Sequence, residues 1–362
     1  MRILSLLCFL CFVNSELLST DSFYRIYQDR YKIGNIYGQN TSLDHKSILK
    51  NHFNVLTPEN WGKWSFVQPI EGAFDFIKMD EIVHFAQENN MDVVGHTLVW
   101  GSQTPSWVFK DIHGNPASKD LLLKRMKDHI DANMKRYLGR IKYWDVVNEA
   151  FNGDGSYRNN DWFQILGPEY IEQAFLLASK VDPSARLLYN DYNMVKVGRV
   201  EAVIKMVENL RSKNIPIHGI GIQGHWMLDF PEMAELDFVL KKLKEQEIPV
   251  HITELDISVL PSPYKGANID TQFENSPEKD PYTLGMPMHA EKELNKRYLE
   301  IFKLFNKYDN IERVTFWGVS DGDSWKNEHP IKGRTDYPLL FDRKLKKKSV
   351  FDRILELENK NK

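Results

Sequence analysis

The sequence predicts an α/β protein that folds as a single-domain (β/α)8 TIM barrel. Eight short apolar runs alternate with eight amphipathic helical segments, and alternation of this kind implies a parallel sheet that can close on itself. The chain shows no second compositional zone and no internal repeat. A doubly wound open sheet is the alternative, but no Gly-x-Gly-x-x-Gly motif follows the first predicted strand.

The composition agrees with one large globular domain. The 362 residues are 42% hydrophobic and 12% aromatic, which is enough for an extensive core, and barrels often exceed the usual domain size. The formal net charge is −3 and no basic stripe stands out, so we expect no nucleic-acid partner.

Residues 1–15 have the pattern of a secretory signal peptide. Arg2 gives a positive start, and the apolar run that follows is too short to span a bilayer. Both cysteines, Cys8 and Cys11, lie in this segment, so the mature chain, residues 16–362, would have no disulfide. We expect a secreted, periplasmic or cell-surface monomer without a stable membrane span; a lipid anchor at either cysteine is the weaker alternative.

Each predicted strand is a short run of β-branched and aromatic residues that ends in polar residues. In chain order, the predicted strands are Lys32–Tyr37, Phe53–Thr57, Asp92–His96, Ile141–Val147, Arg186–Asn190, His218–Gln223, Val250–Leu255 and Arg313–Gly318.

In the predicted helices, apolar residues recur three and four positions apart. After a helical lead-in over Glu16–Lys32, the predicted helices are Ser42–His52, Ile77–Asn90, Lys119–Leu138, Pro168–Lys180, Val197–Lys213, Met233–Gln246, Ala290–Tyr308 and Ser349–Glu358. The connection Ser258–His289 is unusually long and contains five prolines. Long loops in compact domains are usually functional or mobile, and this one follows the seventh strand, on the face where barrels hold active sites.

Two of the strands end in a glutamate. Glu149 follows an apolar run in the fourth strand, and Glu254 lies at the end of the seventh. A carboxylate in such a place is costly to bury without compensation, and the carboxyl ends of barrel strands converge on one face. Two carboxylates that flank one bond carry out glycoside hydrolysis. The alternative for either glutamate alone is a polar strand end that faces solvent.

The other strand ends supply further polar and aromatic side chains. A sugar presents hydroxyl edges and C–H faces, so its site needs amides and carboxylates at the edges and aromatic rings under the faces. The strand ends provide both types: Glu59, Asn60, Lys63, His96, Trp100, Gln103, Asn148, Asn190, Tyr192, Gln223, His225, Asp256, Trp317 and Trp325.

Seven short motifs, in this order, resemble those of the family 10 glycoside hydrolases, which are endo-β-1,4-xylanases built on a (β/α)8 barrel. The resemblance runs from about Ile33 to Asp342, and the start of the long loop is similar to members from gut-type Bacteroidetes. The motifs are LTPEN at Leu56–Asn60, GHTLVW at Gly95–Trp100, WDVVNE at Trp144–Glu149, NDYN at Asn190–Asn193, GIQGH at Gly221–His225, ITELD at Ile252–Asp256 and FWGVSD at Phe316–Asp321.

The resemblance implies a retaining double displacement with two carboxyl groups about 5 to 5.5 Å apart. Glu149 would be the acid/base, with a pKa raised by burial and by the charge of Glu254, and Glu254 would be the nucleophile. Asn148 would bind the sugar 2-hydroxyl, and His225, oriented by Asp256, would hydrogen-bond Glu254.

The resemblance also implies the residues that bind substrate. Tyr192 would stack beyond the cleavage point, and the other positions would hold or cover the sugars: Glu59, Asn60, Lys63, His96, Trp100, Gln103, Gln223, Trp317 and Trp325. Three positions depart from the family pattern. Gly101 stands where His is usual, Lys326 where Arg is usual and Gly62 where Met is common.

Several other aromatic and ionisable residues have structural interpretations. Trp144, Asp145 and Trp64 are interpreted as packing residues, and His129 as a structural histidine on a helix. His96 and His225 lack the His-Glu-x-x-His spacing of a zinc site, so neither a metal nor a cofactor is expected.

Two rival functions remain. One is the same mechanism on cellulose or mannan, which the bulk of Lys63 and Trp325 disfavours, because the resemblance implies that this bulk excludes the hydroxymethyl group of glucose. The other is a non-catalytic glycan-binding barrel, which would be expected to lack one of the two carboxylates. The expected partner is therefore xylan or xylo-oligosaccharides.

Overall fold

In a computed structural model of the chain, which describes residues 22–360, eight parallel strands form one closed barrel. Each strand pairs with its neighbours in parallel register, and the ring is closed by the pairing of β1 with β8 and of β6 with β7. The predicted fold class is therefore confirmed. The strands are β1 Lys32–Tyr37, β2 Val55–Pro58, β3 Asp92–Trp100, β4 Tyr143–Asn148, β5 Arg186–Asp191, β6 Gly219–Ile222, β7 Val250–Ser258 and β8 Ile311–Phe316.

A helix follows each strand along the chain, as in other barrels of this class. Short helical segments at Phe23–Ile26, Trp64–Val67 and Asp161–Leu166 are additions to this plan. The eight main helices are α1 Leu43–His52, α2 Ile77–Glu88, α3 Lys119–Arg136, α4 Glu169–Val181, α5 Val197–Ser212, α6 Met233–Glu245, α7 Met288–Phe305 and α8 Ser349–Asn359.

The core has two parts. The larger lies between the sheet and the helices, and the smaller is a separate cluster from four neighbouring strands, formed by Val55, Val94, Tyr143 and Leu188. All four of these residues are at most 4% exposed. Each fully buried apolar side chain of this size stabilises the fold by about 1.5–3 kcal/mol, so the barrel is a rigid support for the residues at its strand ends.

Side-chain caps fix where several helices begin. The Ser42 hydroxyl accepts a hydrogen bond from the His45 backbone N–H before α1, and Ser118 does the same for Leu121 before α3. The Asn160 side chain caps the short helix Asp161–Leu166. Caps of this type contribute about 0.5–2 kcal/mol each.

Two strands continue well past their predicted ends, and β5 continues by a single residue, to Asp191. β3 continues past His96 to Trp100, because the apolar residues after His96 keep pairing with β4 across a register shift. β7 continues to Ser258, because the short strand His225–Met227 pairs beside it.

The helical lead-in predicted for Glu16–Lys32 is wrong over most of its described part. Only Phe23–Ile26 is helical, the following residues form a turn, and Lys32 already belongs to β1. The four-residue spacing of Phe23, Tyr27 and Tyr31 produced the helical pattern, but these rings pack against one another and the outer helices.

Residues 16–21 and the predicted signal peptide, residues 1–15, lie outside the described residues. In the described part of the chain, every helix is too short or too polar to cross a membrane.

Candidate active site

The strand ends surround a cavity of about 440 Å³ at the carboxyl end of the barrel. Most of the side chains that the sequence singled out line it together: Glu59, Asn60, Lys63, His96, Trp100, Gln103, Asn148, Glu149, Gln223, His225, Glu254, Trp317 and Trp325. A somewhat larger groove of about 540 Å³ lies on the outer surface beside α4 and α5, but it contains none of them.

Glu149 directly follows β4 and has a left-handed backbone, with φ at 59°. Its backbone N–H donates to the Asn190 carbonyl over 2.8 Å. Both carboxylate oxygens accept hydrogen bonds, Oε1 from Gln223 Nε2 over 2.9 Å and Oε2 from Arg158 Nη1 over 3.0 Å. Burial raises the pKa of Glu149 and the charge of Glu254 adds to this, whereas Arg158 opposes it.

Glu254 lies within β7 and is 5% exposed. Burial alone would raise its pKa, but the hydrogen bond with His225, the charges of His96 and His225 and the hydrogen bond from Asn190 outweigh it, so the pKa is lowered. Asn190 Nδ2 donates to Glu254 Oε1 over 2.7 Å, and His225 Nε2 lies 3.0 Å from Oε2. The two glutamates therefore have opposite pKa directions in one cavity.

Asp256 lies behind His225 and is fully buried. Its Oδ2 lies 3.0 Å from His225 Nδ1 and accepts a hydrogen bond of 2.6 Å from Trp325 Nε1. Lys326, the departure from the family's usual Arg, keeps a cation at this place, with Nζ 3.6 Å from Asp256 Oδ1. Burial alone would lower the pKa of His225, but Asp256 and Glu254 raise it.

An amide bridge connects the surroundings of the two glutamates. Asn190 Nδ2 donates to Asn148 Oδ1 over 3.0 Å as well as to Glu254, and the Thr253 hydroxyl donates to Asn190 Oδ1 over 2.6 Å. Because Asn148 accepts through its oxygen, its amide nitrogen is left to donate to a ligand.

Lys63 lines the cavity and is held by two amide side chains. Its ammonium donates to Asn60 Oδ1 and Gln103 Oε1, both over 2.8 Å, and lies 5.2 Å from the centre of the Trp100 ring. Burial lowers the pKa of Lys63, although nearby carboxylates, Glu254 first among them, oppose this. Burial likewise raises the pKa of Glu59.

Asp145 and Trp144 lie behind the cavity rather than in it. His96 Nδ1 is 2.8 Å from Asp145 Oδ2, so the carboxylate orients an imidazole that does line the cavity. The Trp144 ring lies so close to Gly95 that a Cβ added there would be 2.1 Å from it, which only glycine permits.

Tyr192 is not brought into the cavity with the other predicted residues. Its side chain is 8% exposed, and the guanidinium groups of Arg158 and Arg199 lie over its ring at 4.5 and 4.6 Å from the centre. Its stacking role beyond the cleavage point stays a prediction.

Gly101, another departure from the family pattern, lies against Asn160. A Cβ added at Gly101 would be 2.9 Å from Asn160 Nδ2, and the same side chain caps the short helix Asp161–Leu166. Asn160 therefore occupies the space beside Trp100 into which a larger residue at 101 would extend. Gly62 is equally confined, because an added Cβ would be 2.5 Å from the His96 carbonyl oxygen.

Sequence reasoning missed part of the site. Arg158 lies in a polar connection without hydrophobic periodicity, so no local signal marked it. The long loop, residues 259–287, lines the cavity with three side chains and the segment after Trp325 adds two, which together are Ala267, Ile269, Gln272, Glu328 and His329. The length of this loop and its position after the seventh strand were the only features of the sequence that pointed to its place in the site.

Hydrogen bonds fasten this long loop to the connection between β8 and α8. His329 Nε2 lies 2.9 Å from the Asn268 carbonyl oxygen, and the Phe273 N–H donates to the Pro330 carbonyl over 2.8 Å. His329 also stacks on the Trp325 ring with centroids 4.6 Å apart. The loop thus supports one wall of the cavity. Within residues 22–360, no cluster of His, Cys, Asp or Glu could hold a metal ion.

Comparison with known proteins places this geometry in a family. The family model described as glycosyl hydrolase family 10 matches residues 22–357. The chain is 40% identical over 312 residues to endo-1,4-beta-xylanase A of Xylanibacter ruminicola, covering 85% of each chain. It is also 40% identical over 338 residues to a beta-1,4-xylanase of Dictyoglomus thermophilum, covering 92% of this chain and 90% of that one.

A solved structure supports the same family. The structure of a GH10 endoxylanase retrieved from a sugarcane soil metagenome superposes with a TM-score of 0.90 at 42% identity, covering 93% of this chain and 100% of that one. The family model extends over all eight barrel strands, including those that carry the cavity. The chain belongs to glycosyl hydrolase family 10.

Proposed function

We propose that this protein is an endo-β-1,4-xylanase that cleaves internal xylosidic bonds with retention of configuration. The observation that carries the proposal is the pair of buried glutamates in one cavity, with the pKa of Glu149 raised and that of Glu254 lowered. A retaining glycosidase needs one carboxyl group that holds a proton and one that stays ionised.

In the first half-reaction Glu254 attacks the anomeric carbon, and Glu149 gives its proton to the oxygen of the departing sugar. The bond from carbon to that oxygen breaks, and an ester forms between the sugar and Glu254. The donors on Glu254, Asn190 and His225, hold its charge until the attack. Asn148 donates to the 2-hydroxyl, a contact that strengthens in the transition state.

In the second half-reaction Glu149 accepts a proton from water, whose oxygen bonds to the anomeric carbon while the ester to Glu254 breaks. Because two displacements occur on the same carbon, the first product keeps the β configuration. Proton NMR during hydrolysis tests this step, because it identifies the anomer that is formed first, before mutarotation mixes the two. An α-anomer formed first would refute retention.

The preference for xylose over glucose rests on the fixed positions of Lys63 and Trp325. Two hydrogen bonds hold the Lys63 ammonium in place. A hydrogen bond to Asp256 and stacking on His329 hold the Trp325 indole. Moving either side chain to make room for a hydroxymethyl group would break these contacts. Initial rates on xylan and on carboxymethyl-cellulose test the preference. Faster cleavage of the cellulose derivative would favour the rival assignment.

The endo mode is tested by the products formed from a defined linear xylo-oligosaccharide such as xylohexaose. Internal cleavage gives fragments of intermediate length at early times, whereas an exo-acting enzyme releases one product size throughout. A glycan-binding barrel without catalytic activity would leave the oligosaccharide intact.

We also propose secretion, on the basis of the signal-peptide pattern in residues 1–15. Expression of the full chain in a bacterial host, followed by N-terminal sequencing of the exported protein, tests this. A mature N-terminus near residue 16 is the expected result, and protein that stays unprocessed in the cytoplasm would contradict it.

A further inference from the structure

Arg158 lies against the side chain that has to deliver a proton. It comes from the connection between β4 and α4, and its side chain is 17% exposed. Nη1 donates to Glu149 Oε2 over 3.0 Å, and Nε donates to the Phe151 carbonyl over 3.1 Å. The guanidinium is therefore held in place from both ends and positions the Glu149 carboxylate.

The contact suits an ionised Glu149 better than a neutral one. Arg158 and Gln223 each donate to one oxygen of the carboxylate, and a carboxylate accepts such bonds more strongly than a neutral carboxyl group. The acid step needs the neutral form, whereas the base step needs the anion. Arg158 thus favours the protonation state that the second half-reaction uses and reduces the population of the state that the first uses.

Other charged or titratable groups face Glu149 from neighbouring elements. Asp191, at the end of β5, binds Arg158 Nη2 at 3.3 Å and moderates its charge, and Arg199 and Tyr189 also bind Asp191. The remaining such groups that interact with Glu149 are Glu254 from β7, Lys63 after β2 and Tyr192 after β5. Arg158 is the cation among them that bonds directly to the Glu149 carboxylate.

We propose that Arg158 is a positioning residue for Glu149, which aims the Glu149 carboxylate at the attacking water in the hydrolytic half-reaction and lowers the fraction of Glu149 that carries the proton needed in the first. The inference rests on the proposed retaining mechanism. The hydrogen bond from Arg158 Nη1 fixes the orientation of the Glu149 carboxylate before the water proton arrives. A base that is already oriented loses less entropy on reaching the transition state, whereas stabilisation of the anion alone would make it a weaker base.

The two halves can be separated with an aryl β-xylobioside that has a good leaving group, such as 2,4-dinitrophenolate, whose departure needs no proton. For Arg158→Gln we expect kcat/KM, which reports the first half, to stay within about threefold of wild type. We expect kcat, limited by the second half, to fall by roughly tenfold or more with a burst of phenolate. Azide needs no general base, so it should restore kcat and yield a β-xylosyl azide.

The pH profile gives a second readout. On an unactivated xylo-oligosaccharide, Glu149 must be protonated, so the alkaline limb of kcat/KM follows its pKa. Removing the Arg158 cation should move this limb of Arg158→Gln upward by about one pH unit, and Arg158→Lys should move it less. Arg199→Gln is the matched control, because Arg199 lies 3.4 Å from the same Asp191 oxygen and over the same Tyr192 ring, whereas Arg158 is the arginine that bonds to the Glu149 carboxylate.

A loss of kcat and kcat/KM together in Arg158→Gln and Arg158→Lys, with no azide rescue and no shift of the alkaline limb, would overturn the inference. An equal shift in Arg199→Gln would do the same. Glu149→Ala serves as the reference, since it must show azide rescue if the retaining mechanism holds. Failure of that reference would refute the proposed function, whereas its success with an unresponsive Arg158 variant refutes only the role of Arg158.

Discussion

Glu254 is 5% exposed, yet its pKa is lowered, because Asn190 and His225 hydrogen-bond its carboxylate and His225 is in turn held by Asp256. Glu149 is equally buried, but Arg158 is shared with Asp191, so burial dominates and its pKa rises. The same type of side chain therefore acquires opposite pKa shifts from its neighbours alone, which suits the two roles proposed for the pair.

Removing each carboxylate should have different consequences. Glu254→Gln should abolish turnover of xylan and of activated aryl xylobiosides alike, because no nucleophile remains. Glu149→Ala should slow xylan hydrolysis by roughly 10²–10⁴-fold but spare the first half-reaction of the activated substrate. Steady-state and burst kinetics on both substrates measure this. Equal loss on both substrates in Glu149→Ala would contradict its role as the acid.

Asp256→Asn should move the acid limb of kcat/KM to higher pH. The negative charge of Asp256 raises the pKa of His225, and the resulting imidazolium helps to lower the pKa of Glu254. Without that charge the pKa of His225 is lower and fewer His225 side chains are protonated. Glu254 then takes up a proton at a higher pH, so the proposed nucleophile is lost at a higher pH as the solution is acidified. The measurement is a pH–rate profile between pH 3 and 7, with circular dichroism as a check on folding. An unmoved acid limb would show that His225 does not depend on Asp256.

A residue could be assigned to the site from the sequence where it lies at the end of a predicted strand. Glu149 and Glu254 each end an apolar run, so their place at the carboxyl face followed from the strand itself. Arg158 could not be found in this way, because it lies in a connection whose course depends on contacts with Phe151, Asp191 and Tyr192. Likewise, nothing local in the sequence shows that two arginines cover the ring of Tyr192.

At the scale of elements, strands and helices were predictable where periodicity reflects burial. β1 begins and ends as predicted, whereas β3 and β7 run longer because pairing partners, not their own residues, decide where they stop. The lead-in helix fails for a related reason. The spacing of Phe23, Tyr27 and Tyr31 matches a helix, but rings of α7 and α8 hold Phe23 and Tyr27 in place.

His129 on α3 makes the fold sensitive to acid. Its ring stacks on Trp64 with centroids 3.7 Å apart, and burial lowers its pKa to about 3. The unfolded chain binds a proton near pH 6.5 and the folded chain does not, so this contribution to stability is complete above that pH. As the pH falls from there towards 3, the free energy of unfolding decreases by roughly 3–5 kcal/mol in total because of this group.

His129→Phe, which keeps a ring against Trp64, should therefore lose less stability on acidification than wild type. Urea unfolding at several pH values from 7 to 4 measures the difference. The gap between the two free energies should grow in favour of the variant as the pH falls. Parallel curves would mean that His129 does not contribute to acid sensitivity.

Gly101→His, which restores the residue usual in the family, should destabilise this chain, because the new side chain meets Asn160. Overpacking of this kind costs about 1–3 kcal/mol. Asn160→Ala alone should cost about 0.5–2 kcal/mol, because it removes the cap of the short helix Asp161–Leu166. The double variant should be more stable than the sum of the two losses predicts, and thermal unfolding of all four proteins measures this coupling. Simple additivity would show that the two positions are independent.

At the scale of the whole molecule, the shared position of the two glutamates depends on ring closure. β4 and β7 are not neighbours in the sheet, and the glutamates at their ends line one cavity only because β1 pairs with β8 and β6 with β7. The count and alternation of the units predicted this closure from the sequence. The shape of the cavity wall was not predictable, because the long loop takes its path from hydrogen bonds to the segment after β8.

The left-handed backbone at Glu149, with φ at 59°, bears on how such a chain can change over time. A glutamate held in this conformation costs roughly 1–2 kcal/mol that glycine would not incur, and the burial of its carboxyl group adds to the cost. Natural selection for a robust fold alone would therefore replace it. A descendant that no longer digests polysaccharide would be expected to lose this glutamate early, and to become more heat-resistant as it does so.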